Sequence, residues 1–210
     1  DAYNLLPKSK TSLAAKFLLY QCNRGLAQLY TSIRQNTAAQ NEITQAINSW
    51  PGGMYLTNGI TVAILGPANS GKSTLLNYLS LHEHSIVEDM PGTTRDYVDV
   101  EIEIKGLPVT IIDTAGLGPT GDKLAQQAYD KTLQAVNSAD LTIILLDAAG
   151  SVPPKQQFDH TKQTLNTETN HKPIIAINKT DLSVNPQTED FIKHQNALPI
   201  SAKTGQNINQ

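Results

Sequence analysis

The chain has a single cysteine and no long apolar run, and each shortage excludes a class of protein. Cys22 is the single cysteine among 210 residues, which excludes an internal disulfide and is typical of a reducing compartment. The sequence contains no run of about 18 apolar residues and no signal-peptide pattern at its start, so it predicts neither a membrane span nor secretion. We therefore expect a cytoplasmic protein in which Cys22 packs on an apolar helix face.

The charge of the chain is low and unevenly distributed. The formal net charge is −3, yet residues 1–50 carry five basic and only two acidic residues. Neither part has the dense positive charge of a nucleic-acid-binding domain. The basic residues near the start are predicted to form a solvated helix face, and contact with RNA is the alternative.

The pattern of apolar residues divides the chain into two parts. In residues 1–52, apolar side chains recur at three- and four-residue spacing, which predicts an amphipathic helix and a shorter second one, ended by Pro51-Gly52-Gly53, with Trp50 as a packing anchor.

From residue 60 to 210, apolar strands alternate with helical stretches, which predicts an α/β domain with a mostly parallel six-stranded sheet and helices on both faces. The predicted strands are residues 61–65, 97–104, 109–112, 142–146, 174–177 and 198–200. The strand at 97–104 alternates apolar and acidic residues, so we expect it to be half exposed and to pair antiparallel with 109–112. The last helix of such a fold would follow Gln210, and we expect the chain to be part of a longer protein.

A glycine-rich loop between the first strand and the next helix predicts a phosphate-binding site. Residues 66–73 read Gly-Pro-Ala-Asn-Ser-Gly-Lys-Ser, and the backbone N–H groups of such a turn face phosphate oxygens beside a helix N-terminus. Lys72 would supply a positive charge for the outer phosphates, and the hydroxyl of Ser73 would bind Mg²⁺. Gly66 and Gly71 are expected to let the backbone approach the phosphate. We assign the nucleotide contacts of this loop to Asn69, Ser70, Gly71, Lys72, Ser73 and Thr74.

Three further motifs, each following a predicted strand, indicate that the nucleotide is GTP or GDP. Asp113 would hold Mg²⁺ through water, and the backbone N–H of Gly116 would reach the terminal phosphate. Asp181 can accept hydrogen bonds from the N1–H and the amino group of guanine, a donor pair that adenine lacks, while Asn178 would meet the opposite edge of the base. The backbone of Ser201-Ala202-Lys203 would donate to the guanine oxygen, and Lys179 lies between the two base-selecting residues.

Several of these motifs resemble the TrmE (MnmE) family of tRNA-modification GTPases, whose Era and EngA relatives share much of the pattern. The resemblance rests on residues 69–76, on Ile86 to Asp96 with its Gly-Thr-Thr-Arg-Asp sequence, and on Asp113-Thr114-Ala115-Gly116-Leu117. It covers residues 60–208, and more weakly the helix over residues 12–29. It implies a GTP-hydrolysing switch that acts in the modification of the wobble uridine of tRNA, with a partner protein.

The resemblance also implies roles for individual residues. Thr94, beside Thr93, would bind Mg²⁺ when the γ-phosphate is present. Asn69 would help to hold K⁺ against the phosphates, with the backbone carbonyls of Glu88 and Met90 as further ligands, and K⁺ would neutralise charge that develops during hydrolysis. G domains of this family pair across the same face, which implies a nucleotide-dependent homodimer.

The chain departs from the family pattern in the segment that follows Asp113. Leu117 stands where Ras-like enzymes carry a water-orienting glutamine, and Ala125 stands where family members carry an acidic residue. Slow intrinsic hydrolysis is therefore expected unless Asp122 substitutes for that acidic residue. Two alternatives to a tRNA-modification GTPase remain: an Era- or EngA-like role in ribosome assembly, and a switch that signals by nucleotide occupancy with little hydrolysis.

Overall fold

A computed structural model of the chain describes residues 5–36, 38, 40–85, 99–113, 133–134, 136–165, 172–182, 184 and 186–209. A short 3₁₀ turn, Leu6–Lys8, precedes the first helix. The helices are α1 Ser12–Asn23, α2 Gly25–Arg34, α3 Gln40–Asn58, α4 Lys72–His82, α5 Pro154–Leu165 and α6 Pro186–Gln195. The strands are β1 Ile60–Leu65, β2 His84–Ser85, β3 Asp99–Ile104, β4 Leu107–Asp113, β5 Leu141–Asp147, β6 Ile174–Asn178 and β7 Leu198–Pro199.

The described strands form one sheet in the order β2-β3-β4-β1-β5-β6-β7. Strands β4, β1, β5, β6 and β7 are parallel, whereas β2 and β3 run antiparallel at one edge. The predicted α/β fold is confirmed, and all six predicted strands are present. The sheet gains a seventh strand, β2, whose two residues are too few for a period-2 pattern to reveal.

Both faces of the central strands are buried, as a parallel sheet requires. On one face, Val62 and Ile64 of β1 join a cluster with Leu75 and Leu76 of α4. On the other face, Ala63 and Leu65 pack with Val136 from a further helical segment. Farther along that face, Ile144 and Leu146 of β5 pack with Ile177 of β6 and with Phe191 of α6. Because the core encloses both faces, the strand ends are left to carry the polar side chains.

The edge hairpin of β3 and β4 has the predicted antiparallel pairing. Asp99 pairs with Ile112 and Ile104 with Leu107. A two-residue turn joins the strands, with Lys105 at φ 51° and Gly106 at φ 89°, the left-handed pair that tight hairpins favour. Ile102 is fully buried, whereas Glu101 beside it is partly exposed, so the predicted alternation is observed.

The helical part departs from its prediction in two ways. The apolar stripe expected on one helix is divided between α1 and α2, because the backbone leaves helical geometry at Arg24, with φ −135° and ψ −70°. Pro51-Gly52-Gly53 lies inside α3 and does not end it; α3 continues to Asn58, one residue before β1. Packing of α3 against α1 and β4 offsets the poor helix propensity of this sequence. The side chain of Trp50 lies outside those described, and the division into domains at 1–52 and 60–210 stays a prediction.

None of the helices in the described ranges combines the length and apolarity that crossing a lipid bilayer requires. The cysteine of α1, Cys22, is a free thiol and is only partly buried.

Candidate nucleotide-binding site

The candidate site lies at the carboxyl edge of the parallel strands, where the chain order reverses between β4, β1 and β5. The glycine-rich loop follows β1, Asp113 ends β4, Asp147 ends β5 and Asn178 ends β6. In open parallel sheets this edge, beside the strand at which the order reverses, is the usual place for a ligand. The motifs found in the sequence therefore meet at one edge of the sheet.

The glycine-rich loop owes its shape to neighbouring strands as well as to its own sequence. Gly66 has a φ of 154° and Gly71 a φ of 94°. A Cβ at Gly66 would overlap the carbonyl oxygen of Leu145, and one at Gly71 would overlap Nδ2 of Asn178. Both glycines are thus required by protein contacts, in addition to the expected approach to a phosphate. Helix α4 begins at Lys72, so the last two residues of the loop form its first turn and its N-terminal N–H groups face the same position.

Asn69 occupies the exposed tip of the loop, in the left-handed region with φ 62°. Asparagine tolerates this conformation better than most residues. Its predicted part in K⁺ binding stays a prediction, since Glu88 and Met90 lie outside the described residues.

Lys72 is folded back onto its own loop. Its Nζ donates to the carbonyl oxygens of Gly66 at 3.1 Å and Pro67 at 3.0 Å, and the residue is 8% exposed. Burial lowers the pKa of this ammonium group, and the nearby charge of Asp113 offsets part of that effect. Among the described residues, no carboxylate forms a hydrogen bond with Lys72, and a buried cation of this kind is suited to receive an anion such as a phosphate.

Ser73 and Asp113 form a set of oxygen ligands beside the loop. Ser73 Oγ donates to Asp113 Oδ2 at 3.2 Å. The other carboxylate oxygen, Asp113 Oδ1, is buried and has no hydrogen-bond partner among the described residues. An unpaired buried carboxylate oxygen next to a hydroxyl fits Mg²⁺, which prefers oxygen ligands and retains waters.

Asn178 links the phosphate loop to the predicted base-binding loops. Its Nδ2 donates to Ser70 O at 2.9 Å, and its Oδ1 accepts from the backbone N–H of Ala202 at 2.8 Å. The residue is buried, at 2% exposed. These contacts place Asn178 between the two halves of the site, a structural role that the sequence analysis did not foresee. Its predicted contact with guanine, and that of Ala202, stay predictions.

Beside Asn178 lies a recess of about 200 Å³ among the residues predicted to contact the base. Asp181 stands in its wall, and its Oδ1 accepts from Ser201 Oγ at 2.7 Å, which orients the carboxylate. The hydroxyl of Ser201 also accepts from the backbone N–H of Thr204 at 3.2 Å, so the loop after β7 is itself held. The recess is lined by Gly71, Thr74, Asn178, Lys179, Asp181, Leu182 and Lys203.

Two functional candidates were missed by the sequence analysis. Asp147 pairs with Lys179, with 2.6 Å between Oδ2 and Nζ. Gln157 of α5 is 6% exposed and hydrogen-bonds to the backbone of Asp147. Asp147 follows an apolar strand just as Asp113 and Asn178 do, so the same reading of polar residues at strand ends would have found it. No signal in the sequence identifies Gln157.

The remaining predicted site residues lie outside the described ranges. They are Thr93 and Thr94 of the predicted switch, Gly116 and Asp122 after β4, and the carbonyl ligands at Glu88 and Met90. Their roles stay predictions, as does the effect of Ala125.

Two curated proteins that are similar to this chain carry the same name, tRNA modification GTPase MnmE. A tRNA modification GTPase MnmE from Lactobacillus johnsonii is 40% identical over 141 residues, which cover 67% of this chain and 30% of that protein. The protein of the same name from Streptococcus pyogenes is 32% identical over 234 aligned positions, which cover 96% of this chain and 50% of that protein. The chain thus spans half the length of these relatives or less.

Solved structures with the same fold include two of Era. A variant of Aquifex aeolicus Era bound to GDP and AlF4⁻ superposes with a TM-score of 0.56 at 31% identity, covering 71% of this chain and 53% of that one. Era in complex with MgGDPNP and a segment of 16S ribosomal RNA has a TM-score of 0.56 at 30% identity, with the same coverage.

A family model described as 50S ribosome-binding GTPase matches residues 61–179. The match includes the glycine-rich loop, Asp113 and Asn178, and it extends over more than half of the chain. The chain therefore belongs to this family of GTPases, and within it is similar to the MnmE proteins.

Proposed function

We propose that this chain binds GTP, hydrolyses it to GDP and phosphate, and works as the GTPase part of a protein that acts in tRNA modification. The observation that carries the proposal is Asn178, whose amide joins the phosphate loop at Ser70 to the loop after β7 at Ala202. Through this residue the chain's own contacts hold the predicted phosphate-binding and base-binding halves together. A site assembled in advance loses less conformational freedom on binding.

The described residues can perform separate tasks on the nucleotide. Lys72 would exchange its bonds to loop carbonyls for phosphate oxygens, and the N-terminus of α4 would favour the same negative charge. Ser73 and Asp113 would hold Mg²⁺, which when bound neutralises charge on the phosphates. Asp181, oriented by Ser201, would select guanine by accepting hydrogen bonds from its N–H groups.

Similarity along the helical segment favours tRNA modification over ribosome assembly. The Streptococcus pyogenes MnmE alignment covers 96% of this chain, so it includes the helices, whereas the Era structures cover 71%. An Era-like role is the second candidate, supported by the shared fold.

We further propose K⁺ at Asn69, nucleotide-dependent pairing of two G domains, and a cytoplasmic location, where tRNA is modified.

Base selection is tested by calorimetry with GDP and ADP. We expect GDP to bind and ADP to bind at least 100-fold more weakly, because adenine lacks the N1–H and amino donor pair that Asp181 would accept. The variant Asp181→Ala should lose most of this preference, while Asp190→Ala, which removes an exposed carboxylate of α6, should keep it. Equal affinity of the unaltered chain for GDP and ADP would refute the proposal.

Hydrolysis and the role of K⁺ are tested by phosphate release over many turnovers. We expect faster release in K⁺ than in Na⁺, because only an ion of suitable size can take the proposed position against the phosphates. Equal rates in both salts would remove K⁺ from the proposal, and no turnover in either would favour an occupancy switch.

Crosslinking of the full-length protein in cells, to tRNA or to ribosomal RNA, distinguishes the two biological roles.

A further inference from the structure

The strongest unassigned feature beside the nucleotide site is the ion pair between Lys179 and Asp147. The 2.6 Å separation of Nζ and Oδ2 is that of a charge-assisted hydrogen bond. The side chains are 33% and 13% exposed, so the pair is only partly screened by water. Lys179 also lines the recess that would hold the base. The pair therefore fixes a side chain that forms part of the binding surface.

The backbone of Lys179 adds to this constraint. Its φ is 66°, in the left-handed region that residues with a Cβ rarely adopt. The side chain thus leaves the main chain in a direction set by the turn after β6, and Asp147 holds its far end. A lysine has four rotatable bonds and would otherwise sample many positions.

Asp147 is itself held by contacts that do not involve the nucleotide. Its Oδ1 accepts from the backbone N–H of Ala149 at 2.9 Å. Its backbone N–H donates to Gln157 Oε1 at 2.9 Å, and Gln157 Nε2 donates both to Asp147 O at 2.9 Å and to Val152 O at 2.7 Å. The next N–H along the chain, that of Ala148, donates to Asn178 O at 2.9 Å. Asp147 is therefore a rigid support that connects α5 and β5 to the turn after β6.

We propose that Asp147 is a positioning residue for guanine-nucleotide binding: it fixes Lys179 so that the lysine side chain forms a preordered wall of the base recess. The inference rests on the proposed function of the site. Without Asp147, Lys179 would be disordered in the free protein and would have to be ordered when the nucleotide binds. The same ion pair also prevents the ammonium group from moving away to other anions.

The experiment measures the dissociation rate of a fluorescent GDP derivative after addition of excess unlabelled GDP. Asp147→Asn keeps an oxygen for the N–H of Ala149 but removes the charge that holds Lys179. We expect dissociation about two- to fivefold faster, the range that a partly exposed ion pair allows. The matched control is Asp140→Asn, at the opposite end of β5, where the carboxylate accepts from Thr61 N at 2.8 Å. The control should leave the rate unchanged.

A double-variant cycle distinguishes positioning from a general structural effect. In a Lys179→Met background the effect of Asp147→Asn should disappear, because the partner through which Asp147 acts is gone. An unchanged rate in Asp147→Asn, or the same acceleration in both backgrounds, would overturn the inference. Failure of the unaltered chain to bind GDP would instead refute the proposed function.

Salt dependence gives a second measurement if Asp147→Asn does not fold. Added salt weakens the ion pair, so the dissociation rate of the unaltered chain should rise more steeply with salt than that of Lys179→Met. Equal slopes would overturn the inference.

Discussion

Individual residues of the phosphate loop are constrained by side chains that lie far away in the sequence. Asn178 and Ser70 are separated by 108 positions, yet the amide of Asn178 both bonds to the loop and occupies the space beside Gly71. The loop is thus correctly shaped only when β6 is in place. Substitutions at Gly71 and Lys72 test this arrangement.

The variant Gly71→Ala should fold with reduced stability and lose nucleotide affinity. A φ of 94° costs a residue with a Cβ roughly 1–2 kcal/mol, and the added carbon would also displace the amide of Asn178. Gly106→Ala is the matched control, since it has a φ of 89° but lies in the β3–β4 turn. Urea denaturation should show both variants destabilised, and calorimetry should show weaker GDP binding only for Gly71→Ala. Equal GDP affinity in the two variants would contradict the role assigned to this contact.

The pKa of Lys72 predicts how GDP affinity depends on pH. Burial lowers this pKa in the folded protein, so the charged form carries a cost to folding that begins to fall as pH rises through the lowered pKa and is gone above the ordinary pKa. Phosphate would raise the pKa again by favouring the charged ammonium. GDP binding should therefore take up a proton at alkaline pH, and affinity should fall as pH rises from the lowered pKa toward the ordinary one.

Calorimetry of the unaltered chain and of Lys72→Arg isolates this effect. Arginine keeps its charge at every pH used, whereas titration of guanine itself affects both proteins alike. We expect a steeper loss of affinity with pH in the unaltered chain. Parallel curves would show that Lys72 does not titrate in this range.

At the scale of single elements, helix α3 shows how packing overrides local sequence signals. Gly52 has no atom within 4 Å of the position of an added Cβ, whereas an added Cβ at Gly53 would meet the Phe17 ring carbon Cζ at 3.0 Å. The close approach of Gly53 to α1 gives the helix a contact that a larger residue would disturb. Local helix propensity predicts that the helix ends at Pro51-Gly52-Gly53, because propensity carries no information about contacts between helices.

The variant Gly52→Ala should stabilise the chain by about 0.5–1 kcal/mol, because alanine is a better helix former and meets no neighbour. Gly53→Ala gains the same propensity but must displace the Phe17 ring, so its gain should be smaller or reversed. Urea denaturation of both variants measures the difference. Equal stabilisation would show that α3 does not pack on α1 through Gly53.

At the scale of the whole molecule, the helical part is attached to the edge hairpin by a small set of contacts. Thr11 caps α1 by accepting from Ala14 N at 3.1 Å, and the same hydroxyl donates to Gly106 O at 2.7 Å. The Nζ of Lys10 lies 2.7 Å from Oε1 of Glu101. Both side chains are more than a quarter exposed, so this ion pair contributes about 1 kcal/mol or less to the free energy of unfolding. Thr11, at 5% exposed, is therefore the stronger attachment.

Replacement of Thr11 by valine should destabilise the chain by about 1–3 kcal/mol, since it removes the cap and leaves the partly buried carbonyl of Gly106 without its donor. Thr11→Ser keeps the hydroxyl and should remain within about 1 kcal/mol of the unaltered chain. The measurement is the midpoint of urea unfolding. A valine variant as stable as the unaltered chain would show that the hydroxyl contributes nothing, and a serine variant as unstable as the valine variant would show that the methyl group contributes as much as the hydroxyl.

The α/β fold, the positions of the principal strands along the chain and the polar residues at the strand ends were all predictable from the sequence. These features are local: an apolar run, a turn glycine and the residue that follows a strand are read from neighbouring positions. Asp113, Asn178 and Asp181 were placed at the correct edge for that reason.

The contacts of these side chains could be seen only in the folded chain. The bridge made by Asn178, the support of Lys179 by Asp147 and Gln157, the continuation of α3 through Pro51-Gly52-Gly53 and the attachment of Thr11 to Gly106 join residues from separate elements. Such contacts depend on which elements become neighbours in space, and that is set by the packing of the whole core.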